Sequence, residues 1–367
     1  MRKLVHSLNL IRTVSIVTVL CLLVSCSQKR LDPVDPDGHS LPHPGMYKCL
    51  FEIVGIHSGT KASEVTYATQ EAAVNNWILY IFDSAGNYVV SKASSGNTPV
   101  QKYLDEGTYT ICAVVNYPVS GSGALVEGDT QFPTLSAFHA YRASMKDSSL
   151  GNLMMAGSAS LTVVKAQVNM SAIPVHRLVA KTGIYKISVD FSYPSLQSAG
   201  ITIDRIFLTN VYFSSPLVTV LPESGLLGGQ SYWYNALGYH TAGSFDSSVA
   251  MDVLTSETVG RTLAHGESYT KEYDFYFFPN PSSSAVWGGS WSPRFTRVVI
   301  QATLQGETVY YPISLPASVR NKTYMIDEVI IHRPGSSDPE EEIPGSVTVN
   351  FSLSMPWGEE YGITENS

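Results

Sequence analysis

The sequence is poor in charge, in cysteine and in recognisable reaction chemistry. Asp, Glu, Lys and Arg make up 15% of its 367 residues, and the formal net charge is -8. Such a surface has nothing to replace the counterions condensed on phosphates, so nucleic acid is excluded as a partner. There is no His-Glu-x-x-His, no Gly-x-Ser-x-Gly, no Cys-x-x-Cys and no Gly-rich phosphate loop with its Lys-Ser/Thr. His139, His176, His240, His265 and His332 stand singly, and His39 and His43 lie in a Pro-rich stretch where no helix could align them. The expectation is a protein without catalytic residues, metal site or cofactor. Beyond residue 26 no apolar run reaches the ~20 residues a spanning helix needs.

The first 26 residues carry the clearest signal. Met1-Arg2-Lys3 and Arg12 are basic, residues 11–24 are apolar but too short to span a membrane, and Leu23-Val24-Ser25-Cys26 closes the run. A small residue before a cysteine is what a lipoprotein signal peptidase requires. Residues 1–26 therefore read as a lipoprotein signal peptide, with Cys26 as the lipidation site and its lipid the expected membrane attachment. Residues 27–46 read as a tether, because Asp32-Pro33-Val34-Asp35-Pro36 and Pro42-His43-Pro44-Gly45 can neither pair as a strand nor continue a helix. Of the four cysteines, Cys49 and Cys112 would remain; both sit in strand-like runs, where a disulfide and two buried thiols are equally open readings.

Aromatic residues reach 11% of the chain, and short apolar or alternating runs separated by turn residues dominate the rest. Strands are expected at 47–56, 77–82, 88–90, 108–115, 183–191, 201–213, 273–278, 295–304, 309–315 and 324–332. Within 183–191 the alternation puts Tyr185, Ile187, Val189 and Phe191 on one face. Residues 132–145 are the best helix candidate. Strands without regular strand–helix alternation indicate an all-β chain of β-sandwiches in tandem. The expected domains are 47–173 and 174–333, meeting near 172–175.

The end of the chain is distinctive. Residues 334–345, with Glu340, Glu341 and Glu342, read as a solvated linker. Behind it, within 346–367, Val347, Val349, Phe351, Leu353 and Met355 alternate with polar residues. An apolar-faced strand must find a sheet edge. Two seats are open: its own sandwich, or the sheet of another subunit by strand addition. Residues 228–240, rich in Tyr, Trp and Gly, together with Trp287 and Trp291, read either as a glycan-stacking loop or as rings covering the core.

Several of these segments resemble the fimbrillin family, the lipoprotein pilins of type V pili. The resemblance rests on the lipoprotein start and on Asn76-Trp77-Ile78-Leu79-Tyr80-Ile81-Phe82-Asp83-Ser84-Ala85-Gly86. It extends to Gly107-Thr108-Tyr109 running on to Asn116, Arg177-Leu178-Val179-Ala180-Lys181, Arg320-Asn321-Lys322-Thr323-Tyr324, and the tail that ends at Trp357. It implies two transthyretin-like β-sandwiches, transport to the outer membrane on the lipid of Cys26, and proteolytic removal of the first strand. A neighbouring pilin's C-terminal strand would then fill the groove, in a cell-surface fimbrium supporting adhesion. Residues 346–367 would be the donor strand, with Val347, Val349, Phe351, Leu353 and Met355 filling the groove. Family members are cut after an Arg, but no Arg occurs here between Arg30 and Arg142. Maturation is therefore expected at Lys61, and an uncleaved anchor or tip subunit, or a surface glycan-binding lipoprotein, is the alternative role.

Overall fold

A computed structural model describes residues 45–55, 70–121, 123–165, 167–212, 214–218, 233–234, 256–280, 295–352 and 355–356. The chain divides into two compact units, Met1–Met46 and Tyr47–Ser367. Of the first, only Gly45 and Met46 are described, and the described strands and helices all belong to the second.

The fold is all-β. The first half contributes β1 (Tyr47–Val54), β2 (Asn76–Phe82), β3 (Tyr88–Ser95), β4 (Val100–Leu104), β5 (Gly107–Val115), α1 (Leu135–Ala140), β6 (Arg142–Ser144), β7 (Met155–Val163), β8 (Asn169–Pro174) and β9 (His176–Arg177). The second half opens with β10 (Ala180–Val189), α2 (Pro194–Gln197), β11 (Ile201–Thr209), β12 (Val211–Tyr212), β13 (Ser214–Pro216) and β14 (Trp233–Tyr234). It continues with β15 (Ser256–Leu263), β16 (Ser268–Phe277), β17 (Arg297–Leu304), β18 (Glu307–Ser314), β19 (Lys322–Ile331), β20 (Val347–Phe351) and β21 (Met355–Pro356).

The first half packs the sheet β4-β1-β8 on the sheet β3-β2-β5-β7-β9; the second packs β16-β10-β19-β20 on β15-β11-β17-β18, with β21 also on β19. The reason β2 beyond Asn76 and β5 from Ile111 onward are apolar at every position is that both strands are buried on both faces there. Trp77, Leu79, Ile81, Ile111 and Val115 face the β1 sheet, whereas Ile78, Tyr80, Phe82, Cys112 and Val114 join a larger core. That larger core runs on through Ile184, Ile206, Phe275, Ile300 and Ile326 of the second half. Where β8 crosses β7, a side chain on Gly157 would sit 1.8 Å from the Pro174 carbonyl, so only glycine permits the crossing.

Three expectations are corrected. The helix expected over 132–145 is six residues long, capped by the Thr134 side chain accepting from the Ala137 N–H. Tyr141 is already extended, and β6 pairs with β13 of the second half, where the Arg142 guanidinium donates to the Ser214 hydroxyl and carbonyl at 3.0 and 2.9 Å. Long-range pairing thus overrides helical periodicity. In β10 a bulge between Ile184 and Lys186 turns Ile184 into the core and leaves Tyr185 40% exposed, against the expected face. The strand expected over 201–213 is broken at Asn210, whose φ of 55° is left-handed.

Candidate functional site: the first-strand seat, the C-terminal strand and the junction

β1 occupies the middle of its sheet, antiparallel to β4 and parallel to β8. Its alternation places Cys49, Phe51 and Ile53 in the smaller core, at 0, 0 and 5% exposure. Taking β1 away would uncover that core and open the facing edges of β4 and β8 together. Burial pushes the Cys49 thiol up to about 11 and the Cys112 thiol up to about 12, so both are inert apolar groups. They belong to different cores and form no disulfide. Lys61 lies outside the described residues, between Gly55 and Gln70, as does Cys26.

The C-terminal strand sits on its own chain. β20 pairs antiparallel with β19, Val347 opposite Ile331, Val349 opposite Val329 and Phe351 opposite Ile326, with a bulge between Ile326 and Glu328. Val347 and Val349 are half-buried against the larger core, while Phe351 is 45% exposed. β21 continues the pairing, Met355 opposite Thr323; Leu353 lies outside the described residues. The Ser352 N–H donates to the Met325 carbonyl at 3.0 Å, and His332 Nε2 lies 2.9 Å from the Thr348 hydroxyl. This seat is shallower than that of β1, because β20 is an edge strand paired on one side only.

Between the halves lies a buried charged cluster. Lys181 Nζ on β10 stands 2.9 Å from Glu71 Oε1 and 2.8 Å from Asp274 Oδ2 on β16. The Tyr276 hydroxyl donates to Glu71 Oε1 at 2.6 Å, Arg177 Nε to the Glu71 carbonyl at 3.0 Å, and Arg177 Nη1 to Asn321 Oδ1 at 3.3 Å. Glu71 comes after the segment that contains Lys61, so this cluster ties the residues that follow that segment to the second half. Desolvation works against the charge of the Lys181 ammonium, but Asp274 and Glu71 outweigh it and hold that group well above the ordinary lysine range.

Burial pushes the Asp274 carboxyl up to about 7; Lys181 pulls the other way, and Glu272 and Glu71 add to the rise. Asp274 Oδ1 has no hydrogen-bond partner among the described residues, which also favours a protonated acid. The folded chain therefore holds this proton more tightly than the unfolded chain. The associated stability is full below the ordinary carboxyl range and is lost as pH rises through about 7. Stability of the wild-type protein is expected to fall between pH 5 and pH 8 by on the order of a few kcal/mol, since each tenfold change in proton affinity is worth ~1.4 kcal/mol. Asp274→Asn should flatten this decline in pH-dependent melts, and an equal slope in both proteins would count against the assignment.

Comparison with known proteins agrees with this architecture. The family model of the major fimbrial subunit protein (FimA) matches residues 51–184, from the middle of β1 to the bulge of β10. The chain is fimbrillin-like. A crystal structure of a proposed cell-adhesion protein from Bacteroides eggerthii superposes with a TM-score of 0.64 at 16% identity, covering 87% of this chain and 98% of that one. A fimbrilin from Porphyromonas gingivalis gives 0.56 at 15%, covering 85% and 97%. A second proposed cell-adhesion protein, from Parabacteroides distasonis, gives 0.57 at 13%, covering 86% and 98%. At these identities the likeness is one of fold. No curated protein sequence matches the chain.

The fimbrillin-like motifs take definite places in the structure. Asn116, which ends the Gly-x-Tyr strand, has a left-handed φ of 56° and bonds to Asn75, Ala73 and Leu153. Arg177 and Lys181 of the Arg-x-x-Ala-Lys run are the cations of the junction cluster. Their partners Glu71 and Asp274 carried no local signal, being remote in sequence. The solvated reading of the acidic run is corrected at Glu340, which is 9% exposed and pairs with Arg297 at 3.0 Å. A carboxylate that finds a buried guanidinium need not stay in water. Of the aromatic stretch 228–240, only the backbone of β14 is described, antiparallel to β12; Trp287 and Trp291 lie outside the described residues.

Proposed function

We propose that the protein is a subunit of a cell-surface fimbrium, exported as a lipoprotein on Cys26 and joined to its neighbours by exchange of strands. On this reading a cut at Lys61 frees β1, and the strand from Val347 to Met355 of another copy takes the empty seat between β4 and β8. The observation that carries the reading is the contrast between the two seats. β1 is a middle strand bonded on both sides, whereas β20 is a half-exposed edge strand. A strand moving from the second seat to the first gains a second bonded edge and a fully apolar groove. The partners are other pilin subunits, in a homopolymer or a mixed pilus; no cofactor enters the scheme.

Phe351→Asp tests it. Because Phe351 is 45% exposed on β19, the charge should cost the monomer well under about 1 kcal/mol, as surface changes do. In a groove lined by Trp77 and Ile111 the same carboxylate would be buried without a partner, and SDS-resistant ladders should vanish. Ladders of wild-type intensity from the variant would rule out this strand as donor. Mass spectrometry of the assembled protein decides the role: loss of residues up to Lys61 marks a polymerising subunit. Retention of residues 27–61 marks an uncleaved anchor or tip, the reading favoured by the lack of Arg in that segment beyond Arg30.

A further inference from the structure

The acidic stretch after β19 is built into the second sandwich more firmly than the strand that comes after it. Ser336 and Tyr310 exchange two backbone hydrogen bonds, at 2.7 and 2.9 Å. A Cβ on Gly335 would lie 2.2 Å from the Tyr310 carbonyl, so glycine is what allows this approach. The Tyr311 hydroxyl donates to the Arg333 carbonyl at 3.1 Å. Further along, Glu340 reaches Arg297 at 3.0 Å, with side-chain exposures of 4 and 5%. Asn210 Nδ2 donates to both Glu340 carboxylate oxygens, at 3.1 and 3.0 Å. The Asp338 carboxylate accepts the Glu340 N–H at 2.8 Å, setting the turn that delivers Glu340 to its pocket. The stretch ends at Ser346, 4% exposed, whose carbonyl accepts the His332 N–H at 2.8 Å.

We infer that residues 334–346 are a docked strap, bolted through Glu340 and Arg297, that fixes the point from which the C-terminal strand departs when it is donated. The inference rests on the strand-donation reading above. An exposed pair would hold little, but a buried one resists opening, because parting it leaves a charge without its partner. The pivot for donation is then at Val347 rather than at the start of the acidic run. The nine residues of the donor strand, 347–355, span at most roughly 30 Å, and a free strap would add roughly 40 Å of slack. A fixed departure point gives a constant distance from one subunit to the next; a loose strap gives a spread of distances. Glu340 and Arg297 are positioning residues, acting through the root of the strand.

The test compares the full-length protein with Glu340→Gln and, independently, Gly335→Val, with circular dichroism checking that each monomer remains folded. Hydrogen exchange reads the strap directly: the hydrogen-bonded amides of Ser336, Asp338, Glu340 and Ser346 should be protected in the wild type, and both variants should raise their exchange by roughly 100-fold. Filaments imaged by electron microscopy should keep a narrow subunit spacing in the wild type and show a broadened one in both variants. Unprotected amides in the wild type overturn the strap. So do variant filaments whose spacing stays narrow although the strap exchanges freely. Protected amides together with a wild type that never polymerises leave the strap docked and count instead against strand donation.

Discussion

Replacing Lys181 by Ala is expected to lower the unfolding free energy by about 3–5 kcal/mol, the cost of removing one partner from a buried ion pair. The reason is geometric. Glu71 and Asp274 both lie within 3 Å of the Lys181 ammonium, and their side chains are 8 and 9% exposed. Without the cation, two carboxylates face each other with little water between them. One must take up a proton, so the variant should regain part of its stability in acid. Lys181→Met, which keeps the stem and removes the charge, should fall nearly as far. Denaturant melts at pH 8 and pH 5 measure both effects, and a loss below about 1 kcal/mol would place the cluster with ordinary surface pairs.

Removing β1 should have the second large effect. Each of Phe51 and Ile53 contributes about 1.5–3 kcal/mol by burial, and both neighbouring strands lose their ladder partner at the same time. A protein cleaved at an engineered site in the segment 56–69, and freed of its first strand, should bind a hydrophobic dye and polymerise. A synthetic peptide spanning residues 345–360 should occupy the groove, dim the dye and stop growth. Cleaved monomers that neither bind dye nor associate would mean that β4 and β8 close on each other. In the proposed exchange, Glu71, still tied to Lys181 and Tyr276, holds the rest of the chain.

How far the sequence reveals this depends on what each residue answers to. β1, β2, β5 and β19 are legible because large apolar side chains recur at period two or in continuous runs, and burial on one or both faces is all they need. β7 and β15 escape notice for opposite reasons. β7 is Ala, Gly and Ser from 156 to 160, with Gly157 demanded by the crossing of β8, and β15 is a polar edge strand. The bulge at Ile184 has no local mark, since it arises from pairing with β16. Buried charge is hardest to read. Glu340 stands in an acidic run, and nothing nearby announces Arg297 or Asn210. The alternation from Val347 onward is legible as a strand, while its seat on β19 depends on an edge contributed by a different part of the chain.

Electron cryo-microscopy of the polymer tests the proposed strand donation most directly. Density for residues 347–355 of one subunit is expected to run between β4 and β8 of the next. Val349 and Phe351 should turn toward Trp77 and Ile111 there, and no residual β1 should remain. Density showing β1 still in its seat, with β20 still on β19 of its own chain, would contradict it.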